Sequence, residues 1–369
     1  MNILILTTRL NLGGIGVYVS SLACGLKRKG HKVIVASSGG VLQNVLNSYG
    51  IQHIYVPIDT SSEMGPHVMI AGMKLLRVIR TENIQIVHAQ TRVTQVIAHY
   101  LEKFSKVAFV TTCHGFFKRR LIRRLLPCWG RRVVAISDAV REHLVNTMKV
   151  PKANIDLIYN GVDTSFIKTK YFEQKPGDVR KEFNISGNPI IGITARLSSV
   201  KGHMYLLRAM PKIKKVFPDV QLLIVGSGKK KYEKQLHEMC EELNIKKNVI
   251  FQPGIQNIYK ALSVMDIFAL PSVQEGLGLS LLEALSVGLP VVASNVGGIY
   301  SVIQHEENGI LVSPKDHNAL AEAIIKLLKD TKYAKALGKK GVKTIEDKFT
   351  LDKMVEKVEK FYESVNNRT

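Results

Sequence analysis

The chain has 369 residues, 46% of them apolar, which is more than one hydrophobic core normally organises, so we expect two domains of about 180 residues. No stretch reaches the roughly 18 apolar residues of a membrane span, and the opening run is too short for a signal peptide, so we expect a cytoplasmic protein. The four cysteines lack the spacing of a zinc site or a disulfide framework, and they predict buried, reduced thiols.

The first half of the chain alternates short apolar runs with longer periodic ones. Apolar runs cover residues 3–6, 32–36, 84–88 and 107–110, and helical runs cover residues 17–29, 41–49 and 94–104. This alternation predicts a parallel sheet with helices on both faces and with ligands at the carboxyl ends of its strands. Gly13 and Gly14 follow the first strand and His114 follows the fourth, so we expect all three at one cleft.

Positive charge is concentrated in the first half. Residues 1–181 hold 26 Lys and Arg against 10 Asp and Glu, within a net charge of +22 for the chain. Such a field favours an anionic partner: nucleic acid, acidic lipid or a phosphate-bearing saccharide. The densest basic run, residues 116–126, has apolar residues at helical spacing. Two interpretations stay open, a short helix packed on the sheet with a solvated cationic face, or a contact with a membrane surface.

The second half shows the same alternation. Residues 164–188 lose periodicity and are predicted to be a linker. Strands are predicted at residues 189–194, 221–225, 249–251, 267–270 and 291–293, and late helices at residues 319–329, 331–347 and 351–365. Gly226 lies in a small glycine turn after the second of these strands, and such a turn is by itself no dinucleotide fingerprint.

Residues 275–283 form the most informative motif of the chain. Glu275 stands before a predicted helix and Glu283 inside it, and Gly276 and Gly278 allow a close backbone approach to a ligand. The N–H groups of Leu279 and Ser280 at the helix start favour a phosphate. One carboxylate can therefore reach each end of a molecule whose phosphates occupy the helix start, and a nucleotide sugar has that layout.

Two cations suited to phosphate follow a predicted strand, Arg196 and, five residues later, Lys201. Arginine presents a planar fork of donors, and lysine presents a point charge. With residues 275–283, 111–115 and 13–16, they make the chain resemble the retaining nucleotide-sugar glycosyltransferases of family 4. The resemblance runs over nearly the whole chain and includes residues 135–137, 159–163 and 308–312.

The resemblance implies an α/β protein of the GT-B fold, in which two Rossmann-like parallel-sheet domains face each other across a cleft. Residues 1–181 would form the acceptor-side domain, completed by a C-terminal helix at about 351–369 that crosses back to it. Residues 182–350 would form the nucleotide-sugar domain.

The resemblance also implies roles for single residues. Arg196 and Lys201 would bind the diphosphate, Glu275 the hydroxyls of the donor sugar, and Glu283 the ribose. His114 would be a positioning residue near the sugar, and Gly254 and Ile255 would lie along the base. The chain has no Asp-x-Asp, so we expect no metal: cations and the helix start would stabilise the leaving diphosphate.

Two departures from the family pattern lie near the donor sugar. Many relatives have Gly-Gly-x-Pro-Glu where this chain continues from Gly297 and Gly298 to Ser301, without the acid. Many also have an aromatic residue at the position of Leu277, which is aliphatic in this chain. The identity of the sugar therefore stays open, and UDP is favoured as the commoner nucleotide.

The resulting hypothesis is a retaining, metal-independent transferase that adds a hexose to a cell-envelope or lipid-linked saccharide. Its place would be the cytoplasm, with peripheral contact to an anionic membrane surface as an open alternative. Two other enzymes of the same architecture remain, a nucleotide-sugar epimerase and a sugar phosphorylase that would need pyridoxal phosphate. A nucleic-acid-binding protein is a third alternative, suggested by the pI of 9.8 but unsupported by any recognised motif.

Overall fold

The computed structural model describes residues 1–60, 63, 65–118 and 121–366, with the backbone alone at residues 121 and 122. The chain divides into two compact units. The first comprises Met1–Gly161 and the segment that starts at Leu351, and the second comprises Val162–Thr350.

The described residues form thirteen strands and fifteen α-helices, numbered in chain order. The strands are β1 (Asn2–Leu6), β2 (Lys32–Ser37), β3 (Gln52–Tyr55), β4 (Ile86–Ala89), β5 (Ala108–Cys113), β6 (Arg132–Ala135), β7 (Ile155–Leu157), β8 (Ile190–Thr194), β9 (Gln221–Val225), β10 (Val249–Gln252), β11 (Ile267–Leu270), β12 (Val291–Ser294) and β13 (Ile310–Val312). The helices are α1 (Gly14–Arg28), α2 (Gln43–Ser48), α3 (Pro66–Thr81), α4 (Arg92–Ser105), α5 (Leu121–Leu125), α6 (Asp138–Asn146), α7 (Thr164–Phe172), α8 (Pro176–Glu182), α9 (His203–Val216), α10 (Lys230–Glu242), α11 (Ile258–Leu262), α12 (Leu279–Ser286), α13 (His317–Lys329), α14 (Thr331–Lys348) and α15 (Leu351–Asn366).

The first unit is built on a seven-stranded parallel sheet in the order β3-β2-β1-β4-β5-β6-β7. Successive side chains of a strand point to opposite faces. Ile3 and Ile5 of β1 accordingly enter a core with α1 and α15, whereas Leu4 and Leu6 enter a second core with α3 and α4. Both faces of the sheet are therefore covered, as the apolar strand runs predict.

The C-terminal helix α15 belongs to the first unit, so the chain returns to the domain in which it began. Met354, Val355 and Phe361 lie on its buried face. Gly25 of α1 leaves room for Val355, because a Cβ at residue 25 would overlap the valine side chain. The hydroxyl of Tyr362 forms a buried hydrogen bond of 2.6 Å with Nδ1 of His88 in β4.

The second unit is built on a six-stranded parallel sheet in the order β10-β9-β8-β11-β12-β13. All five strands predicted for this half are present. Helix α13 packs against α9, and α14 packs against α12.

The predicted linker at residues 164–188 instead contains α7 and α8. These helices pack against α11 and α12 of the second unit, and they bury Ile167 and Val179. The division between the units consequently falls at residues 161 and 162, about one helix pair before the boundary expected at residue 181. Each helix buries one residue, so neither carries the repeated apolar spacing that marks a helix in sequence.

Among the described residues of the basic run at 116–126, helix is present over α5 alone. The Arg123 guanidinium lies 4.3 Å from the ring centroid of Phe117, and that ring lies 6.2 Å from Trp129. Phe117 thus packs against its own unit, whereas Leu125 is 75% exposed. Arg119 and Arg120 lie outside the described residues.

All four cysteines are buried free thiols, as predicted. Burial raises the pKa of Cys113 to about 12, so this thiol is not a nucleophile despite its neighbour His114. Over the described residues, the structure contains no helix with the length and apolar character required to cross a bilayer.

Candidate active site

The loops after β8 and β11 are adjacent because these strands are neighbours in the second sheet. Gly202 ends the first loop with φ 72°, and a Cβ there would overlap the carbonyl oxygen of Pro271 in the second loop. Glycine alone accepts both this left-handed conformation and this approach at low cost. The contact holds Lys201 beside the loop that carries Glu275.

Lys201 and Glu275, 74 residues apart in sequence, form an ion pair. The distance from Lys201 Nζ to Glu275 Oε2 is 2.5 Å, and the hydroxyl of Ser272 donates to the same oxygen at 3.3 Å. The two charged side chains are 23% and 11% exposed, so the pair is partly screened from water. A ligand that reaches it meets a cation and a carboxylate side by side.

The helix start predicted after Gly278 is present. Gly278 has φ 92° and caps α12, and its carbonyl accepts hydrogen bonds from the N–H groups of Leu281 and Leu282 at 3.0 and 3.2 Å. The N–H groups of Leu279 and Ser280 precede this first turn, where an α-helix leaves its donors without a helical partner. These are the groups expected to face a phosphate.

Leu277, predicted to bind substrate, is 1% exposed. Its side chain fills the core of the second unit, and the flanking glycines, Gly276 and Gly278, are the parts of this loop that a ligand can approach. An aliphatic residue at this position is thus explained by packing.

Glu283 lies in the second turn of α12 and is half-buried. Burial raises the pKa of its carboxyl to about 8, since the protein replaces the water that would solvate the charge. Tyr259 of α11 lies close enough for the Glu283 carboxylate to add to the effect of burial in raising the pKa of that phenol.

The other predicted residues of this unit gather at the ends of neighbouring strands. Gly226 follows β9, and a Cβ there would overlap the carbonyl oxygen of Ala195, beside Arg196. The N–H of Gly254 donates to the hydroxyl of Ser227 at 3.0 Å, and Ile255 follows. The ends of β8, β9 and β10 are therefore linked by close contacts.

His114, Gly13 and Gly14 belong to the first unit. Nε2 of His114 lies 2.8 Å from Oε1 of Gln90, and its ring meets Tyr18 edge-on at 4.8 Å. Burial lowers the pKa of His114 to about 3, so the ring is neutral at physiological pH. Gly13 caps α1 and Gly14 begins it, and a Cβ at either would have no neighbour within 4 Å.

Sequence reasoning missed Ser272, Gln90 and Tyr259. Ser272 and Gln90 each follow the end of a buried strand, which was the available signal, although polar residues at such positions are common. Tyr259 has no signal in sequence, because its link to Glu283 depends on how α11 packs.

Two family models match this chain, and together they cover most of it. "Glycosyltransferase Family 4" matches residues 12–166, and "Glycosyl transferases group 1" matches residues 176–344. The chain belongs to the group 1 glycosyltransferases. These matches confirm the family predicted from the motifs. They also confirm the prediction that the protein is an enzyme.

Curated relatives and solved structures of other proteins are similar to this glycosyltransferase over most of its length. N-acetyl-alpha-D-glucosaminyl L-malate synthase of Bacillus anthracis is 28% identical, with 96% of this chain and 95% of the relative covered. UDP-Gal:alpha-D-GlcNAc-diphosphoundecaprenol alpha-1,3-galactosyltransferase of Escherichia coli is 25% identical, with 89% and 88% covered. Anabaena Alr3699/HepE, solved with UDP and glucose, has a TM-score of 0.86 and 21% identity over 99% of this chain and 100% of that one. The structural likeness confirms the predicted fold of two Rossmann-like domains.

Proposed function

We propose that this glycosyltransferase is retaining and independent of metal, and that it moves a hexose from a nucleotide sugar, with UDP favoured, to a cell-envelope or lipid-linked saccharide. The observation that carries the proposal is the Lys201–Glu275 pair at 2.5 Å. A cation for a diphosphate and a carboxylate for sugar hydroxyls then lie within one side-chain length of each other. The UDP-sugar named for the Escherichia coli enzyme and the UDP bound to the Anabaena protein support UDP as the nucleotide.

The leaving diphosphate requires positive charge as the glycosidic bond breaks. Arg196 and Lys201 supply it as side chains, and the N–H groups at the start of α12 supply aligned dipoles. Each preorganised contact of this kind is worth about 3 kcal/mol in a transition state. These groups can therefore take the place of a divalent cation.

The carboxylates have different tasks. A carboxyl group offers two oxygens and suits vicinal hydroxyls, so Glu283 binds the ribose, and Glu275 contacts hydroxyls of the donor sugar. In the proposed front-face reaction the departing phosphate oxygen takes the proton of the acceptor hydroxyl. His114, neutral because burial lowers its pKa to about 3, positions the sugar and does not act as an acid.

A thermal-shift experiment tests the nucleotide and the metal together. UDP, GDP and ADP are each added in the presence of excess EDTA, and a ligand at 100 times its dissociation constant should stabilise the protein by about 2.7 kcal/mol. We expect the largest shift with UDP and no further shift with Mg²⁺. A shift that needs Mg²⁺ contradicts metal independence, and a larger shift with GDP contradicts UDP.

A turnover assay with and without saccharide acceptors separates transfer from the other reactions of this architecture. Conversion of a nucleotide sugar to its epimer without acceptor would identify an epimerase. Absorbance of pyridoxal phosphate in the purified protein would identify a phosphorylase. The proposal requires acceptor-dependent release of UDP with retention at the anomeric carbon.

We also propose that the first unit docks on an anionic membrane from the cytoplasmic side. The basic run at residues 116–126 supports this, because Lys118 and Arg124 are exposed and Leu125, which follows Arg124 in the chain, is 75% exposed. Each basic residue near an acidic lipid surface contributes about 1 kcal/mol, so a few suffice for reversible, salt-sensitive docking.

Co-sedimentation with acidic liposomes at low and high salt tests the docking. The variant changes the basic run to serine at Lys118, Arg119, Arg120, Arg123 and Arg124. The matched control changes lysines of α14 to serine at Lys335, Lys339, Lys340, Lys343 and Lys348. We expect only the first variant to lose sedimentation. An equal loss in both variants would show that the net charge of the protein, and not the basic run, explains the binding to liposomes.

A further inference from the structure

The Glu275 carboxylate is held on one side only. Oε2 accepts from Lys201 Nζ at 2.5 Å and from the Ser272 hydroxyl at 3.3 Å. Among the described residues, no other side chain donates to this carboxylate, so Oε1 is the oxygen left for a ligand hydroxyl. The orientation of the group therefore depends on the two donors at Oε2.

The two donors differ in how firmly they are fixed. The Lys201 ammonium ends a flexible four-carbon chain that is 23% exposed, and a diphosphate would compete with Glu275 for it. Ser272 is 0% exposed and has one short side-chain torsion. Its neighbour Pro271 is packed against Gly202, so the backbone that carries the hydroxyl is also held.

The backbone of Glu275 is fixed independently of its side chain. Its carbonyl accepts a hydrogen bond from the N–H of Gly298 at 2.9 Å. Loss of a side-chain donor would thus change the direction of the carboxylate without moving the loop.

We propose that Ser272 is the positioning residue that holds Glu275 for the donor sugar once a diphosphate has drawn Lys201 away. The inference rests on the proposed function. Lysine is the closer of the two donors, at 2.5 Å against 3.3 Å for the serine hydroxyl, and long active-site hydrogen bonds commonly shorten when a substrate binds. Ser272 then becomes the remaining donor at Oε2 and keeps Oε1 directed at the sugar.

The test compares UDP with UDP-sugars by isothermal titration calorimetry, which needs no acceptor. Ser272→Ala should weaken binding of the accepted UDP-sugar by about tenfold while leaving UDP within about twofold, because UDP has no sugar for Glu275 to bind. In turnover assays KM for the UDP-sugar should rise more than kcat falls. Ser272→Thr, which keeps the hydroxyl, should restore both.

Ser263→Ala is the matched control, because it removes a serine hydroxyl bonded to the backbone carbonyl of Lys260 in the same unit, away from Glu275. If Ser272→Ala is unstable, Ser272→Cys takes its place, because cysteine is close to serine in size and is a weaker donor. It should show the effects expected of the alanine variant. Equal effects of Ser272→Ala on UDP and UDP-sugar, or none on either, overturn the role of Ser272. Failure of the wild-type protein to bind any nucleotide or nucleotide sugar overturns the proposed function instead.

Discussion

Gly298 and Glu275 are joined by a backbone hydrogen bond of 2.9 Å, which connects the turn after β12 to the loop after β11. A Cβ at Gly298 would overlap the carbonyl oxygen of Gly276, and a Cβ at Gly297, where φ is 52°, would overlap that of Glu275. The glycine pair is therefore what allows the loop with Glu275 to lie this close to its neighbour. This explains why the pair is useful in this chain even though no acid follows it.

Gly298→Ala should disrupt this loop. The new methyl group meets backbone that cannot rotate away, so we expect destabilisation of about 1–3 kcal/mol and loss of nucleotide-sugar binding. Gly177→Ala is the control, because a Cβ there has no neighbour within 4 Å. Urea unfolding and calorimetry measure both effects, and equal behaviour of the two variants would show that the loop tolerates displacement.

Lys201→Ala should weaken UDP binding by about tenfold or more, because a charge-assisted hydrogen bond to phosphate is worth about 1.5–3 kcal/mol. Lys212→Ala removes an exposed lysine that pairs with Glu322 in the same unit, and it should leave the affinity unchanged. Calorimetric titration with UDP checks both. Unchanged affinity in Lys201→Ala would remove this residue from the donor site.

Glu283 should make the stability of the second unit depend on pH. Burial raises the pKa of this carboxyl in the folded protein to about 8, whereas in the unfolded chain it ionises near its ordinary value of 4.5. Between these values the folded state binds one more proton than the unfolded state does. The free energy of unfolding therefore falls as pH rises from about 5 to 8, and it is constant above that range.

The slope for one proton is at most about 1.4 kcal/mol per pH unit. Glu283→Gln cannot ionise and should lack this contribution, so the stability difference between the two proteins should shift in favour of the variant over that range. Urea unfolding at pH values of about 5, 6.5 and 8 measures the difference. A constant difference across pH would mean that Glu283 is ionised throughout.

Tyr362→Phe should destabilise the first unit. Tyr362 and His88 are both fully buried, and removal of the hydroxyl leaves the imidazole Nδ1 without its partner at a cost of about 1–3 kcal/mol. Tyr55→Phe is the control, because Tyr55 is 58% exposed. Equal unfolding midpoints for the two variants would show that the helix α15 is held by apolar packing alone.

Much of the fold follows from local patterns. The apolar strands β9 and β11 of the second unit have the bounds that the sequence predicts. β3, β6, β7 and β13 were missed, and each is only three or four residues long. Segments this short form strands only because a neighbouring strand pairs with them. Their own residues carry no pattern that predicts a strand.

By itself the sequence determined the family and the candidate site residues, because the spacing of Glu275 and Glu283 around Gly276 and Gly278 is a local property of the chain. Only the tertiary structure decided that Lys201 pairs with Glu275 rather than standing free, that Ser272 shares the same oxygen, and that Leu277 is core. These relations depend on the order of strands in the sheet, which brings β8 beside β11 and so joins loops 74 residues apart. Contacts of this kind arise from the packing of strands, and they cannot be predicted from local sequence patterns.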